Sequence, residues 1–497
     1  MVYSKKIFCA LFTAIVVITG CSQREEFDTA SVNGAPEPAT ADVVFHLQTN
    51  APSMQMTRSA EDSYTHVQGT ADEYKVNKAR VYLFDTYTKL FVNSIQLTDL
   101  TRQGTNTEGN VIYETAHISV PQGTYDIFVT ANTDRVITKD NEADFLADID
   151  SMTYVRAHIE DISNGIAMTN RASANRSTLI ANNQNNDDNV VDIVLERVLA
   201  RIDVAKNANE FELTDNEGRK YANVALDRYY IVNLPKYFYS FRHTAVMNSM
   251  NVPDWDINEN FGNIKDVDGY VIDPYFTKKK IDATSFINGD KYYENYFGDF
   301  NTASVAWTSL KSVAADGPQY NTIYSLENCM LAPAQKNAYS TGIIFDAKLK
   351  PNNNIYHLSG NNLELLSNQN LPEVIYYYNC NFYDSAEALA FAIGVNSVGT
   401  DLDMHKAKKF EKTDDGYHCY YTYWIRHLDN NRPTNMGVME FAIVRNNLYR
   451  LLVTNVSGLG NGQIIIDPDT PDEGETYLKI ILNVKPWIVR DLTNIVL

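Results

Sequence analysis

Apolar residues along this chain recur mainly with a period of two. The runs Val81-Tyr-Leu-Phe84, Ile127-Phe-Val129, Val191-Asp-Ile-Val-Leu195, Ile343-Ile-Phe-Asp-Ala347 and Tyr417-His-Cys-Tyr-Tyr-Thr-Tyr-Trp424, with the longer stretch 439–456, are rich in β-branched and aromatic residues. Asn-, Gly- and Pro-containing segments separate them. Successive side chains of a strand point to opposite faces, so such runs predict half-buried antiparallel strands. Helix signals are few. Segment 384–392 offers Asp384 or Ser385 as N-cap ahead of good helix formers and predicts one short helix. Many short strands with turn punctuation predict β-sandwich architecture, and 497 residues allow two domains. The expected fold is mainly β: two tandem sandwiches with few short helices.

Both ends of the chain carry β-forming sequence. In 41–48, Ala41, Val43, Phe45 and Leu47 are apolar while Asp42, His46 and Gln48 are polar, and Val44 alone breaks the alternation. This is a first strand with one face in a core. The stretch 49–59 reads as a loop and contains Arg58, the only Lys or Arg between Arg24 and Lys75. At the other end, the turn Ser457-Gly-Leu-Gly-Asn-Gly462 leads to an acidic spacer, 467–475, with five carboxylates in nine residues. Such a segment is expected to be extended and mobile. Two more strand candidates follow, 477–484 and 487–497, parted by Lys485-Pro486. A tail beyond a hinge either closes its own sheet or pairs with another chain.

Residues 1–20 read as a secretory signal: Lys5 and Lys6 precede an apolar run, 7–19, too short to span a bilayer. It ends Ile18-Thr19-Gly20-Cys21, the lipoprotein cleavage pattern, which makes Cys21 the acylated residue. A diacylated cysteine anchors durably where one chain does not. Net charge is −20, of which residues 1–58 account for −1 (four Lys/Arg, five Asp/Glu). That balance argues against nucleic acid as a partner. Beyond Cys9 and Cys21, the cysteines are Cys329, Cys380 and Cys419, without metal-type spacing. They read either as core thiols or as one disulfide with a free thiol.

The histidines are scattered, with no zinc-protease pair, phosphate-binding Gly loop or nucleophile elbow. His418 and Cys419 are adjacent and would point to opposite strand faces, so they are no catalytic pair. Trp424, Tyr420 and Tyr421 could form a sugar platform, yet an aromatic strand more often packs across a sheet. No catalytic residue, cofactor or metal site is expected, and the chain is not expected to be an enzyme.

Four segments taken in order, Tyr423-Trp-Ile-Arg-His-Leu-Asp-Asn-Asn431, Met439-Glu-Phe-Ala-Ile-Val-Arg-Asn-Asn447, Ser457-Gly-Leu-Gly460 and Val484-Lys-Pro-Trp-Ile-Val489, resemble the C-terminal region of Bacteroidales type V pilins. The likeness is greatest to the major subunit of the short (minor) fimbria. It continues more thinly through 191–201, 123–132 and 78–84. The resemblance implies transthyretin-like sandwiches, with domains at 59–205 and 206–466, a lipidated propeptide at 21–58 and a donor-strand tail at 467–497.

It further implies cleavage between Arg58 and Ser59 by an arginine-specific or trypsin-like surface protease, with loss of the strand that carries Val43, Phe45 and Leu47. The tail of the next subunit would replace it, through Trp487, Val489, Leu492, Ile495 and Val496. Eleven residues, 487–497, span about 36 Å when extended, and the seven of 42–48 about 23 Å. Implied partners are further copies of the chain, accessory fimbrial subunits and, before processing, outer-membrane lipid through Cys21. The implied location is the outer membrane as a lipoprotein, then an extracellular fimbrium serving adhesion and biofilm formation. An accessory or tip adhesin is the nearer alternative. A nutrient-binding surface lipoprotein of the starch-utilisation type is the more distant one, and those are mainly helical.

Overall fold

The computed structural model describes residues 39–49, 70–105, 111–151, 162–170, 175–180, 189–245, 270–276, 279, 296–297, 307–366, 371–427, 436, 440–472 and 477–486. All but Ala39 belong to the compact unit Thr40–Leu497. The fold is mostly β, as the alternation predicts, with several sheets and only short helices among the described residues.

Two main cores organise it. The first is wrapped by one long sheet whose strands run in the spatial order Phe91–Leu97, Ala79–Asp85, Gly123–Ala131, Met168–Thr169, Val190–Arg197, Thr40–Thr49, Val111–Glu114 and Thr101–Thr105. Val81, Leu83, Ile127 and Val129 come from one wing; Val43, Phe45, Leu47, Val191 and Ile193 come from the other. The opposite face of the first wing is also covered. Tyr82, Phe84 and Phe128 meet Phe145 at ring-centroid distances of 4.8, 4.9 and 5.5 Å, and Phe241 closes the cluster. Burial on both faces explains why Val81-Tyr-Leu-Phe84 is apolar throughout rather than alternating.

The second core lies between two sheets. One holds Asn321–Ser325, Ala200–Lys206, Asn447–Val456 and Leu478–Pro486; the other is built on Lys220–Val232, Gly342–Pro351 and Gly416–Trp424. Ile202, Val204, Leu451 and Val453 face Val224, Phe345, Ala347 and Cys419 across it. The expected short helix is Ala386–Ile393. Ser385 caps it by accepting from the Ala388 N–H at 3.2 Å, and Gly394 ends it at φ +83°.

Two expectations for the C-terminal region need correction. Residues 440–446 are not strand; Ile443 makes only an isolated bridge with Asn328, and Asn446 turns the chain at φ +57° before Asn447–Val456 begins. Nor is the described part of the acidic spacer, 467–472, a free linker. Asn337, Ala338 and Asp472 N–H groups donate to Thr470, Pro468 and Gln335 carbonyls, and Lys336 pairs with Asp469 at 3.4 Å. Asp472 is buried and accepts from the Ser340 hydroxyl, and burial pushes its carboxyl well above the ordinary range. Composition predicts solvation only while no neighbour supplies donors, and here 335–340 supplies them.

Two buried histidines make this core acid-sensitive. Burial drives both His243 and His427 down to about 4. His427 sits 2.8 Å from the Tyr449 hydroxyl through Nδ1. The unfolded chain binds protons near pH 6.5 where the folded one does not, so stability falls as pH drops from about 6.5 to 4. Each histidine is worth up to about 3 kcal/mol over that window. Denaturant unfolding across this range should show a shallower acid loss in His427→Gln than in the parent chain.

Candidate functional site

The first strand, Thr40–Thr49, is first in sequence yet sits inside its sheet. It runs parallel to Val190–Arg197, with Val44 opposite Val190 and Thr49 opposite Leu195. Its other edge is antiparallel to two short strands, Val111–Glu114 and Ile118–Pro121. Between these, Thr115 bridges the break: the Phe45 N–H donates to Thr115 Oγ1 at 3.0 Å, and the Thr115 N–H returns to the Phe45 carbonyl at 3.1 Å. Both backbone edges are thus engaged.

The inward face consists of Ala41, Val43, Phe45, Leu47 and Thr49. Val43, Phe45 and Leu47 have no solvent exposure. Burying the three contributes roughly 1.5–3 kcal/mol apiece. The outward face is polar. His46 lies 3.2 Å from both Glu114 and Asp192, Gln48 donates to Asp192 at 3.2 Å, and Asp42 lies 3.2 Å from His117. The seat that receives this strand is lined by Val111, Tyr113, Val120, Val191, Ile193 and Leu195. Of these, the alternation of 191, 193 and 195 was visible in the sequence, but the parallel pairing that brings it beside 44–49 was not.

Downstream of residues 50–69, the short helix Ala71–Tyr74 fastens the chain to the second core. Glu73 is fully buried; its Oε1 accepts from Arg201 at 2.9 Å and from the Tyr324 hydroxyl at 2.7 Å, while Oε2 accepts from the Thr70 N–H at 2.7 Å. Arg197 donates to the Glu73 carbonyl at 2.6 Å and to Asn446 at 3.2 Å. Burial lowers its guanidinium to about 10. The spacing Thr70-Ala-Asp-Glu73 is a capping-box pattern that could have marked Glu73 as a helix-start residue, but not its burial against Arg201 and Tyr324.

At the far end, Leu478–Pro486 pairs antiparallel with Asn447–Val456 in the chain's own sheet. The glycines of 457–462 allow the preceding turn to press on backbone. A Cβ at Gly460 would lie 2.3 Å from the Tyr420 carbonyl oxygen, and one at Gly462 only 1.8 Å from that of Lys409. Lys408 donates to Leu459 and Gly460 carbonyls at 2.5 and 3.2 Å beneath the Tyr477 ring, and burial brings its ammonium down to about 8.

Of the residues singled out from the sequence, Val43, Phe45 and Leu47 share one core. Cys21, Arg58, Ser59, Trp487, Val489, Leu492, Ile495 and Val496 lie outside the described residues. Cys329, Cys380 and Cys419 are free thiols. Burial pushes Cys419 up to about 12, which removes any nucleophilic role. His418 is held by Asp346 and Asp415, each at 2.7 Å, and Asp346 chiefly raises its pKa. Trp424 packs over Gly342, Tyr421 is buried, and Tyr420 stacks on Trp307 with centroids 6.1 Å apart. No cluster able to hold a metal ion occurs among the described residues.

Two family models match the chain, in order. The major fimbrial subunit protein (FimA) model covers residues 50–217, and the model for the C-terminal part of fimbrillin, the type IV major fimbrial subunit protein, covers 415–493. Both models describe major fimbrial subunit proteins, which are structural proteins. These matches are consistent with the type V pilin family of the Bacteroidales, as the C-terminal motifs anticipate. No curated protein sequence matches it.

Similar solved structures include a Parabacteroides distasonis protein assigned to cell adhesion, with 15% identity over 90% of this chain and 98% of that one and a TM-score of 0.44. A FimA fimbrilin of Porphyromonas gingivalis gives 13% identity, 91% and 99% coverage and a TM-score of 0.43. The C-terminally truncated tip fimbrial protein Mfa3 of the same species gives 10%, 90% and 100%, and 0.37.

If the first strand is structural in the uncut chain, Phe45→Ala should destabilise it by about 3–5 kcal/mol. Thermal unfolding of the intact chain checks this, and a change below about 1 kcal/mol would contradict the packing described.

Proposed function

We propose that the chain is a shaft subunit of a cell-surface fimbrium that polymerises head to tail by strand exchange after losing its first strand. The observation that carries this is the seat of Thr40–Thr49. An inward-facing apolar strand lies between two neighbours and precedes every other described strand. One cut downstream releases it without removing any other described strand. An emptied seat presents unpaired backbone groups beside an apolar groove, and a strand from another chain satisfies both. A contact of that kind is heterologous and grows a filament.

In this reading Cys21 carries the lipid that delivers the precursor to the outer membrane, and cleavage falls between Arg58 and Ser59. The two domains are 59–205 and 206–466. The donor is the end of the tail, with Trp487, Val489, Leu492, Ile495 and Val496 entering the next subunit. The pairing of Leu478–Pro486 within its own sheet favours a donor that begins at Trp487. Partners are other copies of the chain and accessory fimbrial subunits, and the assembled fibre serves adhesion and biofilm formation.

Arg58→Ala should leave the chain monomeric after trypsin treatment, whereas the parent forms filaments visible by electron microscopy. N-terminal sequencing of native filaments should begin at Ser59, and filaments that retain residues 41–48 would overturn the mechanism.

Truncation separates the two candidate donors. A chain ending at Gly462 loses Leu478–Pro486, uncovers the edge of Asn447–Val456, and should aggregate in size-exclusion runs. A chain ending at Pro486 should stay folded, accept a tail and cap growth. Should both truncated chains polymerise like the parent, the tail is not the donor.

A further inference from the structure

We propose that Lys279 and Asn328 react with each other to form an intramolecular amide cross-link, with Asp273 carrying the proton. The three side chains meet inside the second domain, away from the first-strand seat. Lys279 Nζ lies 2.5 Å from Asp273 Oδ2, 2.7 Å from Asn328 Oδ1 and 2.5 Å from the Cys329 carbonyl. The side chains of Lys279 and Asp273 are 1% and 2% exposed, and Asn328 is fully buried. Val271, Ile272, Phe276, Cys329, Ala442 and Val444 form an apolar shell at the site.

A lysine is seldom buried so completely, and one carboxylate would be enough to pair it. What singles out this site is the carboxamide held against the amine. Asn328 is fixed at both ends. Its backbone exchanges two hydrogen bonds with Ile443, each at 2.9 Å, and its Nδ2 donates to the Tyr339 carbonyl at 2.7 Å and to Thr341 Oγ1 at 2.9 Å. Its amide carbon is therefore held one bond away from an oxygen already touching Nζ. Asp273 is equally fixed, accepting from the Tyr275 N–H at 2.8 Å and the Cys329 N–H at 2.6 Å. Holding nucleophile, electrophile and proton carrier in one geometry is worth several orders of magnitude in effective concentration. A dry enclosure also removes the competing attack by water.

The step balances without an outside reagent. The Lys279 ammonium passes a proton to the Asp273 carboxylate. The neutral amine attacks Asn328 Cγ, and a C–N bond forms as the carbonyl becomes tetrahedral. Asp273 gives that proton to Nδ2 and takes up a second one from the attacking nitrogen, the old C–N bond breaks, and the ammonia that leaves carries the remaining proton away from Asp273 as ammonium. No atom is oxidised or reduced. The new bond would tie the segment Tyr270–Phe276, through Lys279, to the Asn328–Ile443 bridge. It would close a covalent loop over 279–328 and so restrict the unfolded chain.

The full-length chain, purified and denatured, is weighed by intact mass spectrometry and then digested for peptide sequencing. The expected result is a mass lower by one ammonia than the sequence requires, with a branched peptide joining Lys279 to Asn328. Lys279→Arg and Asp273→Ala should each restore the full mass and yield linear peptides. An unmodified parent mass with separate linear peptides overturns the proposal. So does an ammonia loss without the branched peptide, because a single Asn can lose ammonia by cyclising on its own backbone. A loss of water with Lys279 joined to Asp273 overturns the assignment of Asn328 as electrophile.

Discussion

The first core depends on a strand that precedes every other described strand and is interior to its sheet. Its neighbours, Val190–Arg197 on one side and Val111–Pro121 on the other, are distant in sequence, so its pairing is non-local on both edges. Contacts of that kind carry the largest loop-closure cost and are the slowest to form. The local hairpins, Ala79–Asp85 with Phe91–Leu97 and Thr101–Thr105 with Val111–Glu114, do not require it for their pairing. A sheet built this way holds most of its framework without the strand while relying on it to complete the core. Any strand of similar length and alternation meets the same requirement.

That seat connects to the rest of the molecule by a short route. Val190–Arg197 passes through Val198 and Leu199 directly into Ala200–Lys206, and each of these strands has a parallel partner from one end of the chain. The first takes Thr40–Thr49; the second takes Asn447–Val456, with Arg201 opposite Leu448. The elbow between them is packed with Ile166, Phe238, Tyr324 and Leu326. Glu73, Arg197, Arg201 and Asp203 supply its polar side, Arg201 reaching Asp203 at 2.8 Å. Buried charges are costly when any member loses its partner, so this cluster disfavours other orientations of the two cores.

Much of this was legible in the alternation. Ala41, Val43, Phe45 and Leu47 named the inward face residue by residue, because a period of two fixes which side chains share a face. Of the two caps the sequence offered, Asp384 and Ser385, the structure uses Ser385. What escaped depends on partners far along the chain. The stretch 440–446 has strand composition, but no described neighbouring strand presents a continuous ladder there, so only Ile443 pairs. The acidic spacer looked solvated because its donors come from 335–340. Glu73, Lys279 and Asn328 are ordinary residues by type, and tertiary packing alone gives them their roles.

The strand Leu478–Pro486 bears on where a donor segment could begin. Leu478–Pro486 is paired with Asn447–Val456 along its whole length, and Leu478 is buried. Withdrawing it would break that ladder and expose Leu451 and Val453 beside it, a loss that a new contact would first have to offset. Pro486 lacks an N–H and ends strands that must pair on both edges. The eleven residues after it reach about 36 Å when extended, against about 33 Å for the ten of Thr40–Thr49. The last segment alone is therefore long enough to fill the seat of another subunit. A donor confined to 487–497 would leave Leu478–Pro486 paired in its own subunit, whereas one that began at Tyr477 would have to dismantle an edge of the second core first.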